Sequence, residues 1–193
     1  MSRPFSVCVY CGSRPGALPA YAAAAAEVGR LIGASGGRLV YGGGRSGLMG
    51  VVADATLASG GKVVGVIPQG LMEREHGHTG LTELHVVQTM HERKQMMAER
   101  ADAFLTLPGG IGTFEELFET WTWLQLGYHA KPVGLLDVAG YYGPLRQMLA
   151  HTVREGFFSP EQHDSLLVDD SAPRLLQRLR AACDAGGEDY SRI

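Results

Sequence analysis

Residues Arg38–Gly50 read RLVYGGGRSGLMG, and the order of those residues decides the fold. Arg38–Tyr41 is a short apolar run that suits a strand, three consecutive glycines end it, and an apolar stretch of helical character starts at Gly47. Strand, glycine turn and helix in direct succession form the front half of a βαβ unit. The same alternation continues on both sides. Strands are expected at Phe5–Tyr10, Arg38–Tyr41, Lys62–Ile67, Leu84–Gln88, Ala103–Leu107 and Pro132–Leu136. Helices are expected at Pro19–Ala34, Gly47–Ser59, Met90–Ala101, Thr113–Gly127, Tyr141–Glu155 and Ala172–Ala182. This spacing indicates an α/β chain with a mainly parallel, doubly wound sheet flanked by helices on both faces. No repeat or Ser/Pro-rich linker divides it, so residues 1–193 are expected as a single domain, with a polar, frayed tail from about 184.

Composition narrows the function. The chain has 193 residues, 45% apolar and 19% charged, with a net charge of −3. Such a balance provides no long-range field toward nucleic acid or an anionic membrane, so a small ligand in a local site is expected. No stretch approaches membrane-spanning length and the N-terminus lacks a long apolar leader, which points to the cytoplasm. Of three cysteines, Cys8 and Cys11 form a CxxC, but inside and just after a strand rather than at the start of a helix. That favours structural thiols over a redox or zinc pair. The seven histidines show no helical HxxxH; His76 and His78 share a loop without carboxylate or cysteine company at metal spacing. No metal is expected.

The 27 glycines cluster at strand ends. Cys11-Gly12-Ser13, Gly42–Gly47 and Pro108–Thr113 would all emerge at the carboxyl edge of a doubly wound sheet. There each could direct backbone N–H groups and a helix N-terminus at an anion. Gly42–Gly47 formally satisfies GxGxxG, as in Rossmann-like dinucleotide enzymes. The following strand, however, ends in Ile67-Pro68 without the acidic residue that would bind a ribose hydroxyl. No Walker loop occurs either. Residues 68–83 (PQGLMEREHGHTGLTE) are irregular and rich in Gly, His and charge; they read equally as a solvated loop or as a ligand loop.

The loop Pro108–Glu116 (PGGIGTFEE) says most about chemistry. Its glycines permit close approach, and Thr113 offers a hydroxyl in the first turn of a helix. Glu115, Glu116 and Glu119 follow. Acids in a first turn also favour a helix N-terminus electrostatically, which accounts for them without function. Yet carboxylates facing a bound phosphate would repel it. On helical spacing Glu115, Glu119 and Thr122 share a face, with Glu116 rotated about 100° away. Upstream, Arg93 and Lys94 lie near the start of a helix, where cations oppose the dipole; they read either as functional or as a solvated basic face. Met96, Met97, Trp121 and Trp123 suit core or subunit-interface packing.

Taken together these motifs resemble the Lonely Guy (LOG) family of cytokinin-activating phosphoribohydrolases, whose bacterial members were long called lysine decarboxylases. PGGxGTxxE is matched by Pro108, Gly109, Gly110, Gly112, Thr113 and Glu116, and MHxRK by Met90, His91, Arg93 and Lys94. VYGGGxxGLMG is matched from Val40 to Gly50, CVxCGS from Cys8 to Ser13, and KPVGLL and GYY at Lys131–Leu136 and Gly140–Tyr142. The resemblance implies hydrolysis of the N-glycosidic bond of an adenine-type nucleoside 5′-monophosphate, with no cofactor, by a homodimer with sites near its interface. It implies Arg93 and Glu116 as the catalytic pair. Substrate contacts would come from Glu75, Arg93, Lys94, Gly109, Gly110, Ile111, Gly112, Thr113, Phe114, Glu115 and Thr122. Ser13, Gly43 and Gly44 are expected as further phosphate or ribose contacts. Glu73 stands where plant members usually have proline, and Ile111 where an aromatic is common; both bear on base preference.

Two other readings remain open. A nucleotide sensor or carrier could use the same fold without turnover, although pure phosphate binding gains nothing from a nearby carboxylate. A decarboxylase would need pyridoxal phosphate on a lysine, and Lys62, Lys94 and Lys131 are the lysines of the chain.

Overall fold

The computed structural model describes residues 4–72 and 76–185. In chain order the elements are β1 (Ser6–Tyr10), α1 (Pro19–Ala34), β2 (Arg38–Tyr41), α2 (Gly47–Ala58), β3 (Lys62–Pro68), β4 (Glu83–Val87), α3 (Met90–Arg100), β5 (Ala103–Thr106), α4 (Ile111–Gln125), β6 (Val133–Leu136), α5 (Gly143–Arg154), α6 (Pro160–Asp164), β7 (Leu166–Asp169) and α7 (Ala172–Ala185). The seven strands form one sheet in the order β4-β3-β2-β1-β5-β6-β7. Every pairing is parallel.

Strand alternation splits the core into two layers. Val7 and Val9 of β1 face α1, α2 and α7, packing with Val28, Val52, Leu175 and Leu179. Cys8 and Tyr10 face the other side, with Met97 of α3, Leu117 and Trp121 of α4, and Leu149 of α5. Because both faces are covered, the central strands read as continuous apolar runs, which is why they were visible in the sequence.

The structure corrects the expectation at three places. β7 and α6 were not anticipated. β7 is a four-residue edge strand, LLVD, in which only Leu166 is buried; its apolar run is just three residues long and ends at Asp169-Asp170. α6 is announced by a capping box between Ser159 and Gln162, with Pro160 in its first turn. α4 begins at Ile111, two residues before the Thr113 start suggested by sequence, so its first turn carries no acid. Electrostatic support of the helix end therefore does not account for Glu115 and Glu116. α7 continues through Ala185, and the tail expected beyond it, residues 186–193, lies outside those described.

Candidate functional site

From β1 the chain proceeds outward through β2, β3 and β4; β5, on the other side of β1, begins a run through β6 and β7 in the opposite direction. Loops leaving β1 and β5 therefore diverge at their carboxyl ends and open a crevice, the usual ligand position in such sheets. A cleft of about 630 Å³ lies there, well within the size range of small-molecule sites. Its walls come from residues 9–16, Gly42, Leu48, Met49, Leu71, Met90, Arg93, residues 108–113, Glu115, Glu116, Tyr21 and Tyr141. The loops are tied together beneath it. Gly12 N–H donates to Pro108 O (3.1 Å) and Leu48 N–H to Gly12 O (3.0 Å). Tyr142 Oη donates to Leu107 O (2.7 Å) and Tyr141 Oη to Gly109 O (2.5 Å).

Helix starts at this edge differ in how far the protein satisfies them. α3 is closed by a reciprocal capping box between Thr89 and Glu92. α2 has its Leu48 amide engaged by Gly12 O, and α1 starts on Pro19, which has no N–H. Like α1 and α2, α4 has no side-chain cap; its N-cap is Gly110, which places no side chain over the first-turn amides and leaves them open to a ligand. The glycines there separate into two kinds. A Cβ at Gly109 would run into Thr113 Oγ1 and lie 2.9 Å from Gly12 N, so the protein's own packing requires that glycine. A Cβ at Gly110 or Gly112 would meet nothing within 4 Å. The protein has no packing need for glycine at these two positions, whereas a closely approaching anion does.

Arg93 is 5% exposed, so it is not part of a solvated basic face. Its Nε donates to Val66 O (3.2 Å) and its Nη2 to Gly42 O (3.0 Å), which fixes the guanidinium at the ends of β2 and β3. A Cβ at Gly42 would collide with Nη2. Gly42 thus serves Arg93, not a dinucleotide. Glu116, half-buried, lines the same cleft from α4. Burial, and then the charge of Glu116, pushes the thiols of Cys8 and Cys11 well above their ordinary range. Both thiols are protonated at neutral pH and unsuited to nucleophilic or redox work.

Other expected residues fall in different places. Ser13, Ile111, Thr113 and Glu115 line the cleft, with Ile111 86% exposed at its rim. Lys94 does not line it. Its Nζ reaches Glu115 Oε1 at 2.5 Å and Glu119 Oε1 at 2.9 Å, joining α3 to α4. Burial alone would lower its pKa, but those two carboxylates outweigh burial and raise it. Thr122 lies further along α4, exposed, and Phe114 packs edge-on against Tyr142 in the core; neither lines the cleft. Gly43 and Gly44 also lie outside the lining. They hold the loop after β3, His78 N–H donating to Gly43 O at 2.9 Å and Gly44 bridging to Gly77. Glu73 and Glu75 lie outside the described residues. His78, which has no carboxylate at metal spacing in the sequence, bonds the distant Asp54 Oδ1 of α2 at 2.8 Å. Arg14, Tyr21 and Tyr141 line the cleft and were missed. Their signal was adjacency: Arg14 follows the CGS turn, and Tyr141 sits within GYY.

The family model described as "Possible lysine decarboxylase" matches residues 49–179. A cytokinin riboside 5′-monophosphate phosphoribohydrolase of Rhodococcoides fascians is 52% identical over 92% of this chain and 90% of that protein. One of the same name from Arabidopsis thaliana is 46% identical over 90% of this chain and 81% of that protein. A probable one from Oryza sativa subsp. japonica is 48% identical over 92% and 72%. Among solved structures, the molybdenum cofactor carrier protein of Chlamydomonas reinhardtii superposes with a TM-score of 0.70 at 18% identity, covering 94% of this chain and 99% of that one. At that identity the likeness establishes a common fold and no more. With half its residues shared with a phosphoribohydrolase along nearly the full length of both, the chain belongs to the Lonely Guy family.

Proposed function

We propose that this chain is a hydrolase that cleaves the N-glycosidic bond of adenine-type nucleoside 5′-monophosphates, releasing free base and ribose 5-phosphate. The observation that carries the reading is the juxtaposition, in one cleft, of an uncapped helix start with a carboxylate and a fixed guanidinium. The first-turn amides of α4, with Gly110 and Gly112 leaving room, take the 5′-phosphate. Phosphate binding remote from the scissile bond then positions the ribose. As the base departs with the bonding electrons, positive charge develops at the ribose. Glu116 stabilises it and orients the water that adds there, accepting its proton. Arg93, held by two carbonyls, offsets negative charge on the departing base or on the sugar and phosphate oxygens.

A Schiff-base decarboxylase needs an amine in the cleft, and no lysine lines it. Lys62 is exposed at the start of β3, Lys94 is paired with two glutamates, and buried Lys131 donates to Ala98 O. A homodimer in the cytoplasm completes the proposal. α4 leaves Thr122 and Leu126, four residues apart on one face, exposed to a second copy, and the three cysteines are free thiols, as a reducing compartment keeps them. Sedimentation tests the dimer.

The experiment for the activity is base release from a panel of nucleoside monophosphates and their 5′-dephosphorylated counterparts. Phosphate-bearing substrates should be cleaved far faster. Glu116→Gln and Arg93→Ala should each lower turnover by about 10²–10⁴-fold, the usual range for a positioned acid–base group. Near-normal turnover by either folded variant would remove that residue from the mechanism. Tight nucleotide binding by the wild type without base release would instead identify a carrier.

A further inference from the structure

Three successive carbonyls follow the end of β5, and each accepts a hydrogen bond from another element. Leu107 O takes Tyr142 Oη (2.7 Å), Pro108 O takes Gly12 N–H (3.1 Å) and Gly109 O takes Tyr141 Oη (2.5 Å). The last of these acts on the most easily rotated peptide of the loop. It joins Gly109 to Gly110, and two glycines offer little steric resistance to a flip. A peptide is planar and trans, so holding Gly109 O against Tyr141 holds the Gly110 N–H on the opposite side. A flipped peptide would present a carbonyl where an anion needs a donor.

We infer that Tyr141 is a positioning residue that locks the Gly109–Gly110 peptide in its anion-accepting orientation, and so sets affinity for the phosphate half of the substrate. The inference rests on the phosphate reading of the α4 start given above.

The surroundings of Tyr141 suit that task. Its ring is held edge-on between Tyr21 (centroids 5.7 Å apart) and Tyr142 (4.9 Å), so the phenol arrives with little freedom left to lose. The turn delivering it passes through two left-handed residues, Ala139 (φ 52) and Gly140 (φ 72). A left-handed alanine is strained, and such strain persists where the surrounding structure imposes it. Asp137 Oδ1 closes the turn by accepting from Tyr142 N–H at 2.8 Å. Tyr142 differs in kind. It is fully buried, and its phenol secures the end of β5 rather than the glycine pair.

The test compares wild type, Tyr141→Phe and Tyr142→Phe by calorimetric titration with ribose 5-phosphate and with adenosine, alongside thermal unfolding and turnover of AMP. Loss of a hydrogen bond that orients a charge-assisted contact should weaken ribose 5-phosphate binding by about 10-fold or more in Tyr141→Phe. Adenosine binding should be unchanged, Tm should hold, and KM for AMP should rise more than kcat falls. Tyr142→Phe should lose stability while keeping the wild-type ratio of the two affinities. Unchanged ribose 5-phosphate binding in Tyr141→Phe, or equal loss for both ligands, would overturn the inference. A wild type that binds ribose 5-phosphate yet releases no base would overturn the hydrolase reading, and the affinity ratio would still judge Tyr141. A wild type that binds no phosphate-bearing ligand would overturn both.

Discussion

Replacing Gly112 by alanine should move stability and activity in opposite directions. Gly112 is the second residue of α4, its φ lies outside the left-handed region, and a Cβ there would meet nothing within 4 Å. Within the free protein the change is therefore a helical Gly→Ala substitution without a clash, worth about 0.5–1 kcal/mol of added stability. For a chain of this size that is about 1–4 °C in Tm. In the presence of substrate the same methyl group enters the space left for the 5′-phosphate. Losing one amide-to-phosphate hydrogen bond costs about 1.5–3 kcal/mol, or about 10- to 100-fold in kcat/KM. Gly109→Ala is the contrasting control, since its Cβ would strike Thr113 Oγ1 and crowd Gly12 N; it should lose both stability and activity. Thermal unfolding and chromatographic detection of adenine released from AMP suffice. A Gly112→Ala protein that is more stable and has wild-type kcat/KM would show that no ligand approaches α4 there, and the phosphate reading would fall.

His129 should make the fold acid-sensitive. It is buried, its Nε2 donating to Thr120 O (3.0 Å) and its Nδ1 accepting from Lys131 N–H (3.1 Å), and burial lowers its pKa to about 4 from 6.5. Because the folded pKa is depressed, the contribution is complete above pH 6.5 and is lost as pH falls toward 4, by up to about 3 kcal/mol. The stability gap between wild type and His129→Gln, from urea unfolding, should narrow across that window; parallel pH profiles would refute the assignment. Ala139→Gly should relieve a left-handed alanine at φ 52, ψ 31. Strain relief of about 1–2 kcal/mol, less about 0.4–1 kcal/mol for the freer unfolded chain, leaves a net gain of about 0–1.6 kcal/mol. A lower Tm would show that the turn depends on the alanine methyl group.

The five inner strands could be read from sequence because each is buried enough to form an apolar run between turn signals. Of the two edge strands, β4 (ELHVV) was legible from its apolar, β-branched residues, whereas β7 (LLVD), four residues long, escaped. The site was legible where it is local. PGGIGTFEE is one segment, and its helix period already separated Glu116 from Glu115 and Glu119. What escaped depends on distant elements meeting. Nothing near Arg93 indicates that its guanidinium turns inward to Gly42 and Val66, 51 and 27 residues away. The resemblance implies Lys94 and Thr122 as substrate contacts, and their placement, Lys94 turned toward glutamates of α4 and Thr122 outside the cleft lining, is likewise set by the packing of separate elements. His78 and Asp54 are 24 residues apart, so no metal-spacing rule would pair them.

The acids of α4 looked incompatible with a bound phosphate, and the packing of α3 against α4 removes the conflict. A lone helix with three glutamates near its start would repel an anion. Here Lys94, its pKa raised by both carboxylates, offsets one of the two charges on the face carrying Glu115 and Glu119 and draws both side chains toward α3, Glu115 still bordering the cleft. Glu116, about 100° around the helix, is left to the cleft. It also lies four residues beyond Gly112, about 6 Å along the axis at 1.5 Å per residue. The helix therefore offers amides to the phosphate at its first turn and a carboxylate about one turn later, where the sugar would follow. One charge next to the phosphate would weaken binding; the same charge displaced along the helix faces the centre at which positive charge develops. Helical geometry and one lysine thus convert a repulsive cluster into an ordered pair of subsites, which is why a phosphate cradle and a cleaving carboxylate can share nine consecutive residues, Pro108 to Glu116.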